Sequence, residues 1–327
     1  MAGTAVNHIT DTFNQRIGLF TVTWGRDKPH FELLRASIER SALRELPHYV
    51  VVQSEDLDAF RQFEDDKVVL MSTADVLPEM IEKRRRYARM LQEQLGRTIT
   101  RLAGSCCQRI GVPIWPRYTG WHTQQLVKLF FCLNADFEHV AILDSDILVT
   151  PHASTDDFLG ERSIVCYRKT VRLDDLDGKV VKWNKQAWRL FDREMESDTE
   201  AEAYFDTPFV MNAPAVRDLC AWLENRYGKS WWQVLIEQPV RRWSEFGLYR
   251  VYLRQHVPAS SVEWRNADNM QYIFDVGDSG QLIEKLESGF ANPDIHYITL
   301  HSQNSGRQLW DVNDYAHEVR DFLGHQS

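Results

Sequence analysis

Hydrophobic positions in the first third of the chain follow two alternating patterns. Apolar runs typical of buried strands occur at RIGLFTVTW (16–24), HYVVVQ (48–53) and KVVLM (67–71). Helical spacing marks the segments between and after them: HFELLRASIERSAL (30–43), SEDLDAF (54–60) and LPEMIEKRRRYARMLQEQLGRTITRLAG (77–104). Strands that alternate with helices predict a parallel sheet covered by helices.

The later part of the chain continues this pattern with one irregular stretch. A mostly buried helix is predicted for GWHTQQLVKLFFCLNA (120–135), a strand for TPFVMNAP (207–214) followed by the helix AVRDLCAWLENRYG, a last strand for HYITLHS (296–302) and a closing helix for DVNDYAHEVRDFL (311–323). Residues 168–204 are charged and less periodic, which predicts a mobile excursion over the sheet edge. No internal repeat or linker interrupts the chain, so we predict one α/β domain over residues 1–327.

Composition narrows the class of protein. The chain has 327 residues and is 43% hydrophobic, enough for a sizeable core, and its net charge of −9 argues against general nucleic-acid binding. The first 18 residues lack an apolar region, which predicts no signal peptide, and the absence of an 18-residue apolar run predicts no transmembrane helix. Five cysteines without regular spacing are typical of reduced thiols in the cytoplasm.

Two aspartates interrupt an otherwise apolar strand, HVAILDSDILVTP (139–151). Burying an unpartnered carboxylate costs several kcal/mol, so Asp144 and Asp146 need a structural or chemical reason. Residues two apart share one side of a strand, and ligand sites in open parallel sheets lie at the carboxyl ends of the strands. A Mg²⁺ or Mn²⁺ ion that holds a diphosphate is one reason. The alternative is that Asp144 caps a turn and Asp146 forms an ion pair.

The surroundings of this pair resemble the D-x-D site of GT-A-fold glycosyltransferases. Lys128 begins KLFFCLNADFEHVAILDSDILV, which is similar to the lysine helix and following strand of the glycogenin and lipopolysaccharide-galactosyltransferase family. Further segments similar to motifs of that family are FTVTWGRD (20–27), FDTPFVMNAPAV (205–216), EFGLY (245–249) and HSQNSGRQLW (301–310). The stretch WSEFGLYRVYL is also similar to a group of uncharacterised bacterial GT-A-like proteins. The sequence departs from the family pattern at Pro208, Glu245 and Phe246, and it lacks Lys-Pro before Trp310.

The resemblance implies a GT-A (Rossmann-like) fold with a mixed, mostly parallel sheet flanked by helices. It divides the domain into a nucleotide-sugar-binding half (1–150) and an acceptor-binding half (151–327). The implied activity is the metal-dependent transfer of a sugar from a nucleotide sugar, with a UDP-sugar as the first expectation, to a glycan or glycolipid of the cell surface. The implied location of the enzyme is the cytoplasm of a bacterium. Retention and inversion of the anomeric centre both stay open.

The resemblance also implies roles for individual residues. The predicted ligands of Mn²⁺ or Mg²⁺ are Asp144, Asp146 and His301. The predicted contacts to the nucleotide sugar are Thr21, Thr23, Trp24, Asp27, Gln124, Lys128, Asp144 and Arg307. The predicted catalytic residues are Glu245 and Asp206, with Thr207 and Asn212 near the sugar hydroxyls and Trp231, Trp232 and Trp243 available to stack on an acceptor.

Each of these roles has a structural alternative. His301 is also explained as a capping or surface residue, and Lys128 as the solvated end of a buried helix. Trp24, Trp243 and the Trp231–Trp232 pair are also explained as core residues. Glu245 is also explained as an ordinary helix-start glutamate after a serine.

A positive run, Lys83 to Arg86 with Arg89, stands out in an acidic chain. It predicts either a solvated helix face or contact with anionic lipid headgroups or an acidic acceptor. Contact with lipid headgroups would place the protein peripherally at the inner face of the membrane. Two other functions compete with glycosyl transfer. A nucleotidyltransferase acting on sugar phosphates needs a glycine-rich loop that TVTWGRDKP does not offer. The intact Asp144, Asp146, His301 and Glu245 argue against the other alternative, a non-catalytic nucleotide-sugar or glycan-binding protein.

Overall fold

The computed structural model describes residues 16–109, 118, 120–160, 164–176, 178–196, 198–273, 278–300 and 312–325. His301 and Arg307 lie outside the described residues. The strands are β1 Ile17–Thr23, β2 His48–Val52, β3 Val68–Ser72, β4 His139–Ile142, β5 Ile147–Val149, β6 Ile164–Arg168, β7 Thr170–Arg172, β8 Glu200–Glu202, β9 Phe209–Asn212, β10 Val262–Asn266, β11 Met270–Ile273 and β12 Tyr297–Leu300.

Helices surround these strands. They are α1 Lys28–Ile38, α2 Leu57–Phe60, α3 Thr73–Val76, α4 Glu79–Arg109, α5 Trp121–Asn134, α6 Gly178–Leu190, α7 Ala213–Tyr227, α8 Trp231–Ile236, α9 Glu245–His256, α10 Ser279–Ala291 and α11 Val312–His325. Within the described parts of the chain, no helix is long and apolar enough to cross a membrane.

The main sheet has the strand order β3-β2-β1-β4-β9. Strands β1 to β4 run parallel, whereas β9 runs antiparallel to β4. A second sheet, β11-β12-β5, is also mixed. The predicted fold class, a mixed and mostly parallel sheet flanked by helices, is therefore confirmed.

The chain crosses from one sheet to the other at the aspartate pair. The Leu143 N–H donates to the Phe20 carbonyl (2.9 Å), which extends β4 by one residue along β1. The Leu300 N–H donates to the Asp146 carbonyl (2.8 Å), which joins the end of β12 to the residue before β5. The segment between Leu143 and Ile147 is thus fastened on both sides and lies at the carboxyl end of β4.

Strand β5 separates two hydrophobic cores. Ile147 and Val149 belong to the larger core, which includes residues from both predicted halves of the chain. Leu148 points to the other face and belongs to a smaller core built with α1, α10 and α11. Because both faces of β5 are covered, all three residues of the strand are apolar.

One irregular stretch of the sequence contains regular structure that was not predicted. Residues 168–204, expected to form a mobile excursion, contain the antiparallel pair β7–β8 and the helix α6. Trp183, Ala187 and Leu190 lie on the buried face of α6 at helical spacing. Charged residues on the exposed positions between them obscured this periodicity.

Candidate active site

Lys128 lies between two carboxylates that come from distant parts of the chain. Its Nζ is 3.2 Å from Oδ1 of Asp144, after β4, and 3.1 Å from Oε1 of Glu245, the first residue of α9. The side chains of Lys128 and Glu245 are only 6% and 4% exposed, but that of Asp144 is 36% exposed. The ion-paired group therefore reaches solvent through Asp144.

The two carboxylates keep this buried lysine charged. Desolvation by burial lowers the pKa of Lys128, but the charges of Asp144 and Glu245 outweigh it and raise the pKa above its usual value. The Nζ also lies 4.6 Å from the centre of the Phe246 ring, whose π face favours a cation. Lys128 is thus a fixed ammonium group at the end of the parallel sheet.

Glu245 is held in place by local contacts at the start of α9. Ser244 caps the helix, accepting a hydrogen bond from the Phe246 N–H (3.2 Å) and donating one to Glu245 Oε2 (3.2 Å). The side-chain oxygen of Gln125 accepts a hydrogen bond from the Glu245 N–H (3.0 Å). Glu245 is therefore both a helix-start glutamate and an ion-pair partner. The predicted Gln124 is only half-buried, and its neighbour Gln125 makes the contact.

Asp206 is a second, more accessible carboxylate near Asp144. The Asp144 N–H donates to the hydroxyl of Thr207 (3.0 Å), the residue after Asp206. Asp206 is exposed to solvent on one side, and protein atoms surround the rest of its carboxylate. Desolvation, followed by the negative charge of Asp144, raises the pKa of Asp206, whereas Lys179 and a hydrogen bond from Tyr272 act to lower it. Burial is thus the main reason why the pKa of Asp206 is raised, and the Asp144 carboxylate adds to it.

An aromatic layer adjoins Asp206. The ring of Phe205 lies 5.1 Å from that of Trp183, and Trp183 stacks on Trp121 at 5.0 Å. The Lys179 Nζ is 5.2 Å from the centre of the Trp183 ring. Sequence reasoning missed Trp121, Trp183, Lys179 and Tyr272. The helical spacing of α6 was the one signal that pointed to Trp183.

The tryptophans predicted to stack on an acceptor are core residues. Trp243 is fully buried, Trp231 is buried against the ring of Phe130 (4.4 Å), and Trp232 packs against the same core. Asn212 is also buried, and its side chain accepts a hydrogen bond from the Ala215 N–H as the cap of α7. Trp231, Trp243 and Asn212 are therefore not available to a sugar, whereas Trp232 is only half-buried.

The residues predicted to contact the nucleotide lie partly inside strand β1 and partly beyond its end. Thr21 is fully buried, and its hydroxyl donates to the Leu143 carbonyl (2.8 Å) and pairs with His48 Nε2 (2.9 Å), so it serves the sheet. Trp24 and Asp27 lie beyond the end of β1, where the indole N–H donates to the Asp27 carboxylate (2.6 Å). The buried hydroxyl of Thr23 has no hydrogen-bond partner among the described residues.

The structure describes two of the three predicted metal ligands. Asp144 and Asp146 are both half-buried on the segment that crosses between the sheets. Within the described residues no group of three histidine, cysteine or carboxylate side chains is placed to hold a metal ion. The proposed third ligand, His301, lies outside the described residues. The carboxylate oxygens of Asp144 and Asp146 are donors of the type that suits Mg²⁺ or Mn²⁺.

A mixed sheet with a charged crossing segment and a buried lysine defines an α/β protein with a polar site at the carboxyl end of β4. The chain belongs to the family of unknown function DUF6492, whose model matches residues 20–271. No curated protein matches the sequence.

Several solved structures are similar to this chain at low identity. The galactosyltransferase LgtC in complex with donor and acceptor sugar analogs has 12% identity and a TM-score of 0.47, over 94% of this chain and 95% of that chain. Mouse xyloside xylosyltransferase 1 in its apo form has 12% identity and a TM-score of 0.42, over 87% and 97%. The apo glycosyltransferase GlyE of Streptococcus pneumoniae TIGR4 has 11% identity and a TM-score of 0.41, over 95% and 64%.

Proposed function

We propose that this protein is a GT-A-type glycosyltransferase that moves a sugar from a nucleotide sugar to a glycan or glycolipid. A UDP-sugar is the donor that we expect first. The observation that carries the proposal is the convergence of Lys128, Asp144, Glu245 and Asp206 beside the end of β4. Such a site combines fixed positive charge with accessible carboxylates. Both are required where a diphosphate leaves and a hydroxyl attacks.

In this proposal the crossing segment binds the donor diphosphate. Asp144 and Asp146 would hold Mn²⁺ or Mg²⁺, with His301 as a third ligand, and the ion would neutralise charge that develops on the leaving nucleotide. Lys128 keeps the Asp144 carboxylate oriented through their 3.2 Å contact and adds a second positive charge to the site. Trp24 and Asp27 lie past β1, beside this edge of the sheet, where they would contact the nucleoside.

Asp206 is the better candidate of the two predicted catalytic carboxylates. Its raised pKa suits a group that accepts the proton of the acceptor hydroxyl while the new glycosidic bond forms and the sugar–phosphate bond breaks. Glu245 is almost fully buried and paired with Lys128, so its proposed role is to hold that ammonium group in place. The half-buried rings of Phe205 and Trp121, which pack on the buried Trp183, would support the apolar face of an acceptor sugar.

A ligand-stabilisation experiment tests the proposal. The full chain would be heated with UDP-, GDP- and CMP-sugars, each with and without Mn²⁺, because a ligand that binds only the folded state raises the melting temperature. We expect one nucleotide to stabilise the protein only when Mn²⁺ is present, and Asp146→Ala to abolish that stabilisation. Asp218→Ala, which removes an exposed carboxylate on α7, is the control and should behave like the unchanged protein.

Two outcomes would contradict the proposal. If no nucleotide sugar stabilises the protein and none is hydrolysed or transferred, the site does not bind such a donor. If binding is found but Asp146→Ala leaves it unchanged, the nucleotide is bound without the predicted metal, as expected of a binding protein. The cytoplasmic location and bacterial origin stay predictions.

A further inference from the structure

Helix α4 presents the most exposed large apolar side chains of the described residues. These are Met80, Tyr87, Met90, Leu95 and Ile99, each between 41% and 57% exposed. Large apolar side chains elsewhere in the described ranges are at least partly covered, so this concentration on one helix is unusual. Met80, Tyr87 and Met90 follow at intervals of seven and three residues, which places them along one face.

Exposed cations are interleaved with these apolar side chains. Lys83 and Arg84 lie three and four residues after Met80, and Arg86 lies four residues before Met90. All three are exposed. Their local partners are Glu79 for Lys83, the Tyr118 hydroxyl for Arg84 and Glu82 for Arg86. The outer face of α4 is therefore apolar and basic together.

The other two arginines of the basic run face the protein. The Arg85 guanidinium is buried and pairs with Glu82 (2.7 Å) and Glu55 (2.6 Å). Arg89 pairs with Asp56 (2.9 Å), whose carboxylate also accepts the Gly25 N–H (2.9 Å). The predicted run is thus divided by the helix: two arginines fasten α4 to the body, and three cations remain on the surface.

The charge of α4 indicates the kind of partner. Between residues 79 and 90 the exposed charged residues are Lys83, Arg84 and Arg86 against Glu79, a net charge of +2 in a chain whose total is −9. Pairing two copies of α4 with each other would bring like charges together. A surface of anionic lipid headgroups instead matches the cations, while the acyl region accepts the methionine and tyrosine side chains.

We propose that the outer face of the first part of α4 (Met80, Lys83, Arg84, Arg86, Tyr87 and Met90), which precedes the non-helical backbone at Gly96, docks on an anionic phospholipid bilayer. The apolar side chains insert at the headgroup boundary, and the three cations contact lipid phosphates with their stems along the apolar surface. The inward pairs of Arg85 and Arg89 hold the helix rigidly on the body. The proposal stands on these surface residues and is independent of the proposed enzymatic activity.

Vesicle flotation with the full chain tests this surface. We expect the protein to float with phosphatidylcholine vesicles that contain phosphatidylglycerol, to float poorly with phosphatidylcholine alone, and to bind less as salt increases. The variant Met80→Ser/Tyr87→Ser/Met90→Ser and the variant Lys83→Gln/Arg84→Gln/Arg86→Gln should each lower the partition coefficient about tenfold or more.

A matched control removes the same charge elsewhere. Lys182→Gln/Lys185→Gln/Arg189→Gln changes three exposed positions on α6 and should bind vesicles like the unchanged protein. Equal melting temperatures would show that the variants fold. The proposal is overturned if the protein binds neither vesicle, if both α4 variants bind as well as the control, or if light scattering shows a dimer that the apolar variant dissociates.

Discussion

Lys128 is a buried ammonium group whose two partners differ in access to solvent. Glu245 lies behind it and is as buried as the lysine, whereas Asp144 opens to the surface. Removing the lysine would leave the Glu245 carboxylate buried without a counter-charge. Such an uncompensated charge costs far more than the loss of a surface ion pair.

We therefore predict that Lys128→Met lowers the free energy of unfolding by about 3–5 kcal/mol. The double variant Lys128→Met/Glu245→Gln should recover part of this loss, because the remaining buried group is neutral. Urea unfolding measures both effects. Lys67→Met, which removes a lysine from the exposed pair with Glu45, is the control and should cost about 1 kcal/mol or less. Equal losses for Lys67 and Lys128 would contradict the assignment.

The pH dependence of activity tests the role of Asp206. Only the ionised carboxylate can accept a proton, so activity should rise as pH increases through the raised pKa of Asp206. Tyr272→Phe removes a hydrogen bond and Lys179→Met removes a positive charge, and both groups act to lower this pKa. Each variant should therefore shift the acidic limb of kcat/KM to higher pH.

Two controls complete that experiment. Lys182→Met changes an exposed lysine on the same helix that is not among the charges acting on Asp206, so it should leave the acidic limb in place. Asp206→Asn should remove the limb and lower kcat by about 10²–10⁴-fold, the usual contribution of general-base catalysis. A limb that persists in Asp206→Asn would assign it to another group.

The sequence reveals those site residues whose chemistry conflicts with their surroundings. Asp144 and Asp146 were found because carboxylates interrupt an apolar strand, and Lys128 because its segment resembles the lysine helix of a glycosyltransferase family. The Thr207 hydroxyl and the Gln125 side chain could not be found in this way. They are polar residues whose roles depend on which segments meet in three dimensions.

At the scale of the helix, α4 is fixed to the body by a buried ion network. Glu82 lies at its centre, receiving hydrogen bonds from Arg85, Arg86 and the Ser54 hydroxyl. Burial alone would raise the pKa of Glu82, but the hydrogen bonds and charge of Arg85 outweigh it and lower the pKa to about 2. The carboxylate is thus ionised in the folded protein at pH values where the unfolded chain binds a proton.

The network predicts a specific loss of stability in acid. Because the unfolded pKa of a glutamate is about 4.3, the contribution of Glu82 is fully present above that pH and is lost as pH falls toward about 2. It amounts to about 3 kcal/mol. Glu82→Gln should remove this contribution at neutral pH and flatten the decline between pH 5 and 2, as measured by urea unfolding across that range.

A carboxylate on the same helix provides the comparison. Glu93→Gln changes an exposed residue that pairs with Arg89 (2.8 Å), and its acid decline should stay close to that of the unchanged protein. If Glu82→Gln and the unchanged protein lose stability in parallel between pH 5 and 2, the network does not hold α4 in the proposed way.

Elements were predictable where apolar periodicity was regular. The helix predicted at 120–135 is present as Trp121–Asn134, since its apolar residues cover most of its surface. The strand predicted at 207–214 is shorter, because Asn212 caps α7 and Pro214 follows in its first turn. Strands β6 and β10 were missed because they pair with each other across a long stretch of chain, which local spacing does not record.

At the scale of the molecule, the two sheets meet at the segment that carries the proposed metal ligands. Parallel β1 to β4 follow from the alternation of strands and helices in the sequence. The second sheet does not, because β5 joins β12 only after an intervening stretch of more than a hundred residues. One consequence is that β5 has a different core on each face, and Leu148 lies in the smaller one. Leu143, which precedes the aspartate pair, lies in the larger core.

Matched truncations on the two sides test whether these cores open together. Leu148→Ala and Leu143→Ala each delete a fully buried side chain and should each cost about 2–5 kcal/mol. If the smaller core is a separate cooperative unit, hydrogen exchange in α10 and α11 should accelerate more in Leu148→Ala than in Leu143→Ala, while β1 amides change alike in both. Equal acceleration everywhere would show a single unit. The aspartate pair lies between the two positions, so a separate smaller core would let β12 move relative to Asp146 without unfolding the main sheet.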